Sequence, residues 1–308
     1  MNRVHFVFLF LVVTFASAAG ASGLSIYEKA APLVEREKLF DPGGLLHAFE
    51  KAGLGPMTQQ IPAHGQGMLM ASWTPSSNPK NSPTFIVLHG GGGVSSMHIK
   101  MAQDLRREFD ANVLILDSHW SRGRRSNVGP DFRKYFRMIS ATDRAYDLLA
   151  AGQWLAKKGI DPMQVYPLGE SQGGMVVMRA FSEGTVFADE IKKHFGKGIV
   201  LWPACVWWDS DHTRSHPLGR YHSPLIVFSG GRDYGSPISE CPAVKHATKH
   251  LHWEDATHAW MIATHGPYKP REDGNCDAKI EFKNRQIDMC FSESRTQETW
   301  RLIKEFIQ

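Results

Sequence analysis

Val165-Tyr166-Pro167-Leu168-Gly169-Glu170-Ser171-Gln172-Gly173-Gly174-Met175-Val176-Val177-Met178 is the stretch that organises this chain. Gln164 to Leu168 reads as a short buried strand, and Gly174 to Phe181 reads as an apolar helix. Between them, Gly169-Glu170-Ser171-Gln172-Gly173 sets a serine on a sharp strand-to-helix turn, where only glycine leaves room on either side. Such a turn presents a nucleophile at the edge of a sheet.

Working outward, Thr58 to Ile61 and Met68 to Trp73 read as two strands, and Thr84-Phe85-Ile86-Val87-Leu88 as a strand buried on both faces. Helical spacing follows over Ser95 to Phe109 and Thr142 to Lys158, with a strand at Asn112 to Leu116 between them. Beyond the serine turn come strands at Ile199 to Trp202, Leu225 to Ser229 and near His250 to Trp253, then an amphipathic helix from Ser294 to Ile307. Strands separated by helices require parallel crossovers, hence an α/β class with a mostly parallel central sheet and helices on both faces. In such sheets the functional residues lie at the carboxyl ends of the strands.

A chain of 308 residues with 42% hydrophobic residues suits one large domain, expected here over 22–308. Residues 1–21 read as an export signal: Asn2-Arg3 are the basic start, Phe6 to Ala16 the apolar core, and Ala16-Ser17-Ala18 or Ala19-Gly20-Ala21 the cleavage site, after about 18 or 21. That apolar run is too short to span a bilayer, so no stable membrane insertion is expected after cleavage. A helical extension follows to about residue 55, broken at Asp41-Pro42-Gly43-Gly44. The net charge of +4 is too mild for a nucleic-acid binder. The one basic cluster, Arg122-Gly123-Arg124-Arg125, is either a solvated loop or an attractor for an acidic substrate.

Four cysteines, Cys205, Cys241, Cys276 and Cys290, would meet an oxidising compartment after export. Cys205 and Cys241 each follow a neighbouring strand, and Cys276 with Cys290 closes a short polar excursion, so those two pairings are expected among the three open to four cysteines.

His89-Gly90-Gly91-Gly92-Gly93 directly follows the Thr84 to Leu88 strand. Its glycines let backbone N–H groups turn toward a developing oxyanion, with Gly91, or a neighbouring glycine, and Gln172 as the expected donors. No Gly-Lys-Ser/Thr ending supports a phosphate loop. A serine hydroxyl needs a base, and the base an acid, in the chain order serine, acid, histidine. Asp233 emerges after the Leu225 to Ser229 strand; an Asx-type turn is its competing role. Of fifteen histidines, His258 occupies the loop after the last strand, with His265 as the fallback.

Neither the Asp209, Asp211, His212 and His216 cluster nor the pair His246 and His250, four apart on an expected helix, matches a closed zinc pattern or an H-E-x-x-H helix, so neither metal nor cofactor is expected. Trp202, Trp207, Trp208 and Trp260, with Arg124, are candidates for a substrate pocket, against a plain core role for the tryptophans.

The chain resembles the α/β-hydrolase superfamily, in particular the dienelactone hydrolase-like esterases. The shared residues are His89-Gly90-Gly91-Gly92, Gly169-Glu170-Ser171-Gln172-Gly173-Gly174, Gly231-Arg232-Asp233 and Ala256-Thr257-His258-Ala259, together with the helix carrying Asp143, Ala150, Ala151, Trp154 and Leu155 before Ile160-Asp161-Pro162. The resemblance covers about Gln60 to the C-terminus. It implies an α/β-hydrolase fold and a Ser171-His258-Asp233 triad. Dienelactone hydrolase proper uses a cysteine nucleophile where Ser171 stands here, which favours an ordinary serine esterase. The loops His119 to Ile139 and Asp209 to Tyr221 have no family counterpart and are expected to roof the site. An exported serine esterase acting on a small-molecule ester through an acyl-enzyme is therefore expected. A peptidase or amidase on the same fold, or a non-catalytic ligand binder, are the alternatives.

Overall fold

The computed structural model describes residues 45–63, 67–122, 139–205, 220–234, 236–261, 278–282 and 285–308. The signal-like segment 1–21, the extension up to residue 44, Arg124, Trp207, Trp208, His265, Cys276 and the Asp209 to His216 cluster lie outside them.

Strands β1 (Gln59–Pro62), β2 (Met68–Thr74), β3 (Thr84–Leu88), β4 (Asn112–Asp117), β5 (Val165–Glu170), β6 (Gly198–Leu201), β7 (Leu225–Gly230) and β8 (Lys249–Trp253) form one sheet. Their spatial order is β1-β2-β4-β3-β5-β6-β7-β8. β1 and β2 pair antiparallel, β2 runs antiparallel to β4, and every later pairing is parallel. The order places β5, which carries the serine turn, between β3 and β6, so the glycine loop and the serine emerge side by side.

Alternation along the central strands builds two cores. Phe85, Val87, Val113, Ile115, Leu168 and Phe228 face one side, packed with Met97, Met101 and Leu105 of α2 (Ser96–Phe109) and with Trp300 and Ile303 of α6 (Glu293–Ile307). Phe49, on α1 (Leu45–Lys51), joins the same core. Ile86, Leu88, Leu114, Leu116, Val200 and Val227 face the other side, against α3 (Ala141–Lys157), α4 (Gln172–Ala180) and α5 (Ala188–His194). Because strand side chains alternate in direction, an unbroken apolar run can serve both faces at once. Reciprocal capping starts α3: the Ser140 hydroxyl accepts from Asp143 N–H at 3.0 Å, and the Asp143 carboxylate accepts from Ser140 N–H at 2.9 Å.

Within the described residues, the strands and helices expected from Thr58 onward are present with small shifts at their ends. α4 begins at Gln172, two residues before the expected Gly174, because the chain turns into the helix at Ser171 itself. His246 ends a short 3₁₀ turn, Pro242–His246, while His250 lies in β8, so these two histidines share no helix. α5 was not anticipated, nor was the antiparallel hairpin β9 (Ala278–Phe282) and β10 (Arg285–Met289) within the supposed polar excursion. Cys205 and Cys241 are bonded, with Cα atoms 5.0 Å apart, as expected from their strands. Among the described residues no helix is long and apolar enough to cross a membrane.

Candidate active site

Ser171 caps the start of α4 with φ 51° and ψ −116°, a conformation unfavourable for any L side chain. Two close backbone approaches impose the motif's glycines. A Cβ on Gly169 would lie 2.1 Å from Gly173 O, and one on Gly173 would lie 2.1 Å from Leu88 O. The turn is pinned further by Ser171 N–H donating to Leu201 O and Ala204 N–H donating to Ser171 O, each at 3.0 Å. β5, β6 and the loop after β6 thus hold the strained residue in place.

The carboxyl ends of β7 and β8 supply two more groups. His258 Nδ1 donates to Asp233 Oδ2 at 2.7 Å, and both side chains are buried. With its proton on Nδ1, a neutral His258 leaves Nε2 as a lone-pair base. Burial works to lower the His258 pKa, but the Asp233 charge and hydrogen bond, helped by Glu170, outweigh it and hold the ring above its ordinary value. The other Asp233 oxygen, Oδ1, accepts from Ser236 N–H at 2.9 Å. The Asx turn and the histidine contact are therefore one arrangement, in which each oxygen has its own partner. Among the described residues no hydrogen bond joins the Ser171 hydroxyl to His258. Such contacts often tighten only when substrate is bound.

Glu170, immediately before Ser171, is almost fully buried. Its Oε1 accepts from Gly90 N–H, and its Oε2 accepts from Trp202 Nε1 at 3.2 Å. Burial pushes its pKa up, but His98, the nearby His258 and the Gly90 N–H outweigh that and keep the carboxyl below its ordinary value. On the far side of the glycine loop, the fully buried Arg144 donates to His89 O and, at 3.2 Å, to Gln172 Oε1. Burial lowers the Arg144 pKa to about 10, opposed by Asp147 and Glu170, so the guanidinium stays protonated at neutral pH.

His89 is not a base in this site. Its Nε2 accepts from Ser118 N–H at 3.1 Å, which puts the ring proton on Nδ1, 2.8 Å from Gly90 O. Burial, then the Arg144 charge, depress its pKa well below the usual value. Its 3.6 Å approach to Asp117 is therefore not an ion pair. Burial also raises Asp117, to about 6, against N–H donors from Trp120, Ser121 and His119.

The pocket tryptophans have different fates. Trp260 is fully buried, stacks edge-on against Trp202 at 4.7 Å and donates to Thr299 at 3.2 Å, so it belongs to the core that anchors the His258 loop to α6. Trp202 is equally buried; its ring centroid is 6.3 Å from that of His258. In this structure neither ring forms an open pocket wall, and a substrate-binding role for Trp207, Trp208 and Arg124 falls outside the described residues. Arg122, from the basic cluster, grips the buried Asp147 with two 2.7 Å hydrogen bonds. It is an internal fastening between the loop after β4 and α3. Among the described residues no group of three or more His, Cys, Asp or Glu side chains is arranged to hold a metal ion.

Glu170 and Arg144 escaped sequence reasoning. The usable signal for Glu170 was a charge at the end of a buried strand; for Arg144 it was a place on the helical stripe of Ala141, Leu148 and Ala151.

No protein-family model matches the chain, and no curated protein matches it. Solved structures do. A candidate dienelactone hydrolase from Klebsiella pneumoniae superposes with a TM-score of 0.61 at 14% identity, over 81% of this chain and 96% of the other. An esterase of Pyrococcus furiosus gives 0.54 at 15% identity, over 83% and 95%. A dienelactone hydrolase-like promiscuous phosphotriesterase from metagenomic libraries gives 0.53 at 12% identity, over 81% and 96%. The strand order, the serine turn between β5 and α4 and these superpositions together identify the chain as a protein of the α/β-hydrolase fold.

Proposed function

We propose that this protein is a serine hydrolase that cleaves a carboxylic ester through an acyl-enzyme. The observation that carries this is the buried His258–Asp233 hydrogen bond of 2.7 Å at the edge of the sheet from which the strained Ser171 projects. Ser171 Oγ attacks the ester carbonyl while His258 Nε2 takes its proton, and Asp233 holds the ring in the required tautomer. The oxyanion is received by the N–H of Gln172, at the positive end of α4, and by that of Gly91 in the glycine loop. His258 then returns the proton to the leaving alcohol. A water activated by the same base releases the acid.

Esterase and hydrolase names among the structural neighbours support this choice of chemistry. Export belongs to the same proposal, supported by the leader-like composition of residues 1–21 and by the Cys205–Cys241 disulfide. The deciding experiment is Ser171→Ala. It is expected to abolish p-nitrophenyl acetate hydrolysis and fluorophosphonate labelling; labelling at the wild-type level would refute the nucleophile.

A further inference from the structure

The His89–Gly90 peptide group is held at both of its polar atoms by buried charged side chains. Its oxygen accepts from the Arg144 guanidinium, and its N–H donates to the Glu170 carboxylate. Both side chains also reach the nucleophile turn. Glu170 directly precedes Ser171, and Arg144 donates to the side chain of Gln172, which directly follows it. A cation on the carbonyl end and an anion on the N–H end match the peptide dipole and permit one orientation of that peptide.

His98 lies beside the same carboxylate. Its Nδ1 accepts from Ser95 N–H at 3.0 Å, and its Nε2 stands 3.6 Å from Glu170 Oε1, beyond hydrogen-bond distance. The glycine run is held at its start, at the His89–Gly90 peptide, and the helix that follows it is capped at Ser95. Gly90 has no space for a side chain, since a Cβ there would meet Glu170 Oε1 at 2.6 Å.

From this geometry we infer that Glu170 and Arg144 are positioning residues that clamp the His89–Gly90 peptide and so aim the following N–H groups of the loop at the ester's developing oxyanion. The inference rests on the esterase proposal above and deepens it. Four consecutive glycines have the greatest backbone freedom available to a chain, and an oxyanion site works only when its donors are oriented before the reaction. Burying two charges is costly unless each is used in hydrogen bonds, and here both are used on one peptide. Neither side chain is assigned a contact with substrate.

The test uses the full-length protein and the variants Glu170→Gln, Arg144→Gln, Arg144→Lys and the double Glu170→Gln/Arg144→Gln. Ester hydrolysis, inhibition by a boronic acid whose tetrahedral adduct mimics the oxyanion, and peptide-resolved amide exchange over residues 89–93 are measured. Each Gln variant is expected to lose roughly 10- to 100-fold in kcat with KM within about twofold, and boronate affinity should fall by a similar factor. Arg144→Lys restores part of the loss. Because both groups fix one peptide, the double variant should lose about as much as the worse single one, well short of the product of the two. Exchange at Gly90 should rise about tenfold or more.

Unchanged exchange over 89–93 in Glu170→Gln, or a loss confined to KM, would overturn the clamp. A wild-type protein inert to fluorophosphonate, with a loop that still loosens in Glu170→Gln, would refute the esterase proposal and leave the clamp standing. Should Arg144→Gln not fold, Glu170→Gln and Arg144→Lys decide the matter on the same measurements.

Discussion

Asp233 accepts the Nδ1 proton of His258 at 2.7 Å through one carboxylate oxygen while its other oxygen closes the turn to Ser236 at 2.9 Å. Both oxygens of this carboxylate are therefore engaged, one in the histidine contact and one in its own turn. Rotation of the carboxylate to free itself from His258 would break the loop that carries it.

The pH profile follows from this contact. A base must be unprotonated, and burial of His258 is outweighed by Asp233, which raises the ring's pKa. The acid limb of kcat/KM is therefore expected to have its midpoint above the ordinary histidine value. Asp233→Asn should move that limb to lower pH and reduce kcat by about 10⁴-fold, since the amide no longer selects the correct tautomer. The stability linkage has a definite sign. With the folded pKa raised, the contribution of this pair is fully present below the unfolded value and is lost as pH rises through the folded one. Urea titrations of wild type and Asp233→Asn at several pH values check the second effect, and pH–rate profiles the first.

Gly173→Ala is expected to be among the most disruptive of small substitutions. The new methyl would sit 2.1 Å from Leu88 O, a backbone atom of β3 that cannot rotate aside. Either β3 and β5 part or α4 shifts, and overpacking of this kind costs about 1–3 kcal/mol or more. Thermal unfolding should fall by several degrees or soluble protein be lost, with Ser171 labelling falling further than the melting temperature alone accounts for.

Arg122 separates steering from structure. Arg122→Ala leaves Asp147, 1% exposed, without its bidentate partner, and breaking a buried pair costs about 3–5 kcal/mol. The outcome expected is a lower melting temperature, with acidic and neutral esters losing activity in equal proportion. A selective loss on acidic esters would return a substrate-attracting role to this residue.

The Cys205–Cys241 bond joins positions 36 residues apart. Closing a loop of that size stabilises a fold by about 3–4 kcal/mol in the chain-entropy account. The double variant Cys205→Ser/Cys241→Ser should unfold at correspondingly lower urea concentration, and wild type and variant should share one midpoint once both are reduced with dithiothreitol.

Much of this architecture was legible from local pattern. The run Thr84 to Leu88, the glycine–serine turn and the apolar spacing of α3 and α6 are short-range signals, and strands alternating with helices leave few topologies once crossovers must be right-handed. Ser171, Asp233 and His258 could be placed for the same reason, because each follows a strand whose carboxyl end must lie at one edge. Trp260 was harder: a tryptophan after a strand looks alike whether it lines a pocket or fills the core. Its position against Trp202, Trp253 and Thr299 depends on α6, which lies far along the chain.

Patterning along the chain was therefore sufficient for the sheet and for the sharp serine turn after β5, since those depend on periodicity and on steric limits within a few residues. Which charges are buried, and what they hold, depended on the packed tertiary fold. Glu170 and Arg144 meet across the His89–Gly90 peptide only because β3 and β5 are neighbours and α3 packs beside them. Arg122 likewise turned from a loop cation into an internal fastening only when α3 brought Asp147 to it. Burial and pairing are properties of space, and separations of 80 residues between Gly90 and Glu170, or 55 between His89 and Arg144, leave no trace in local sequence.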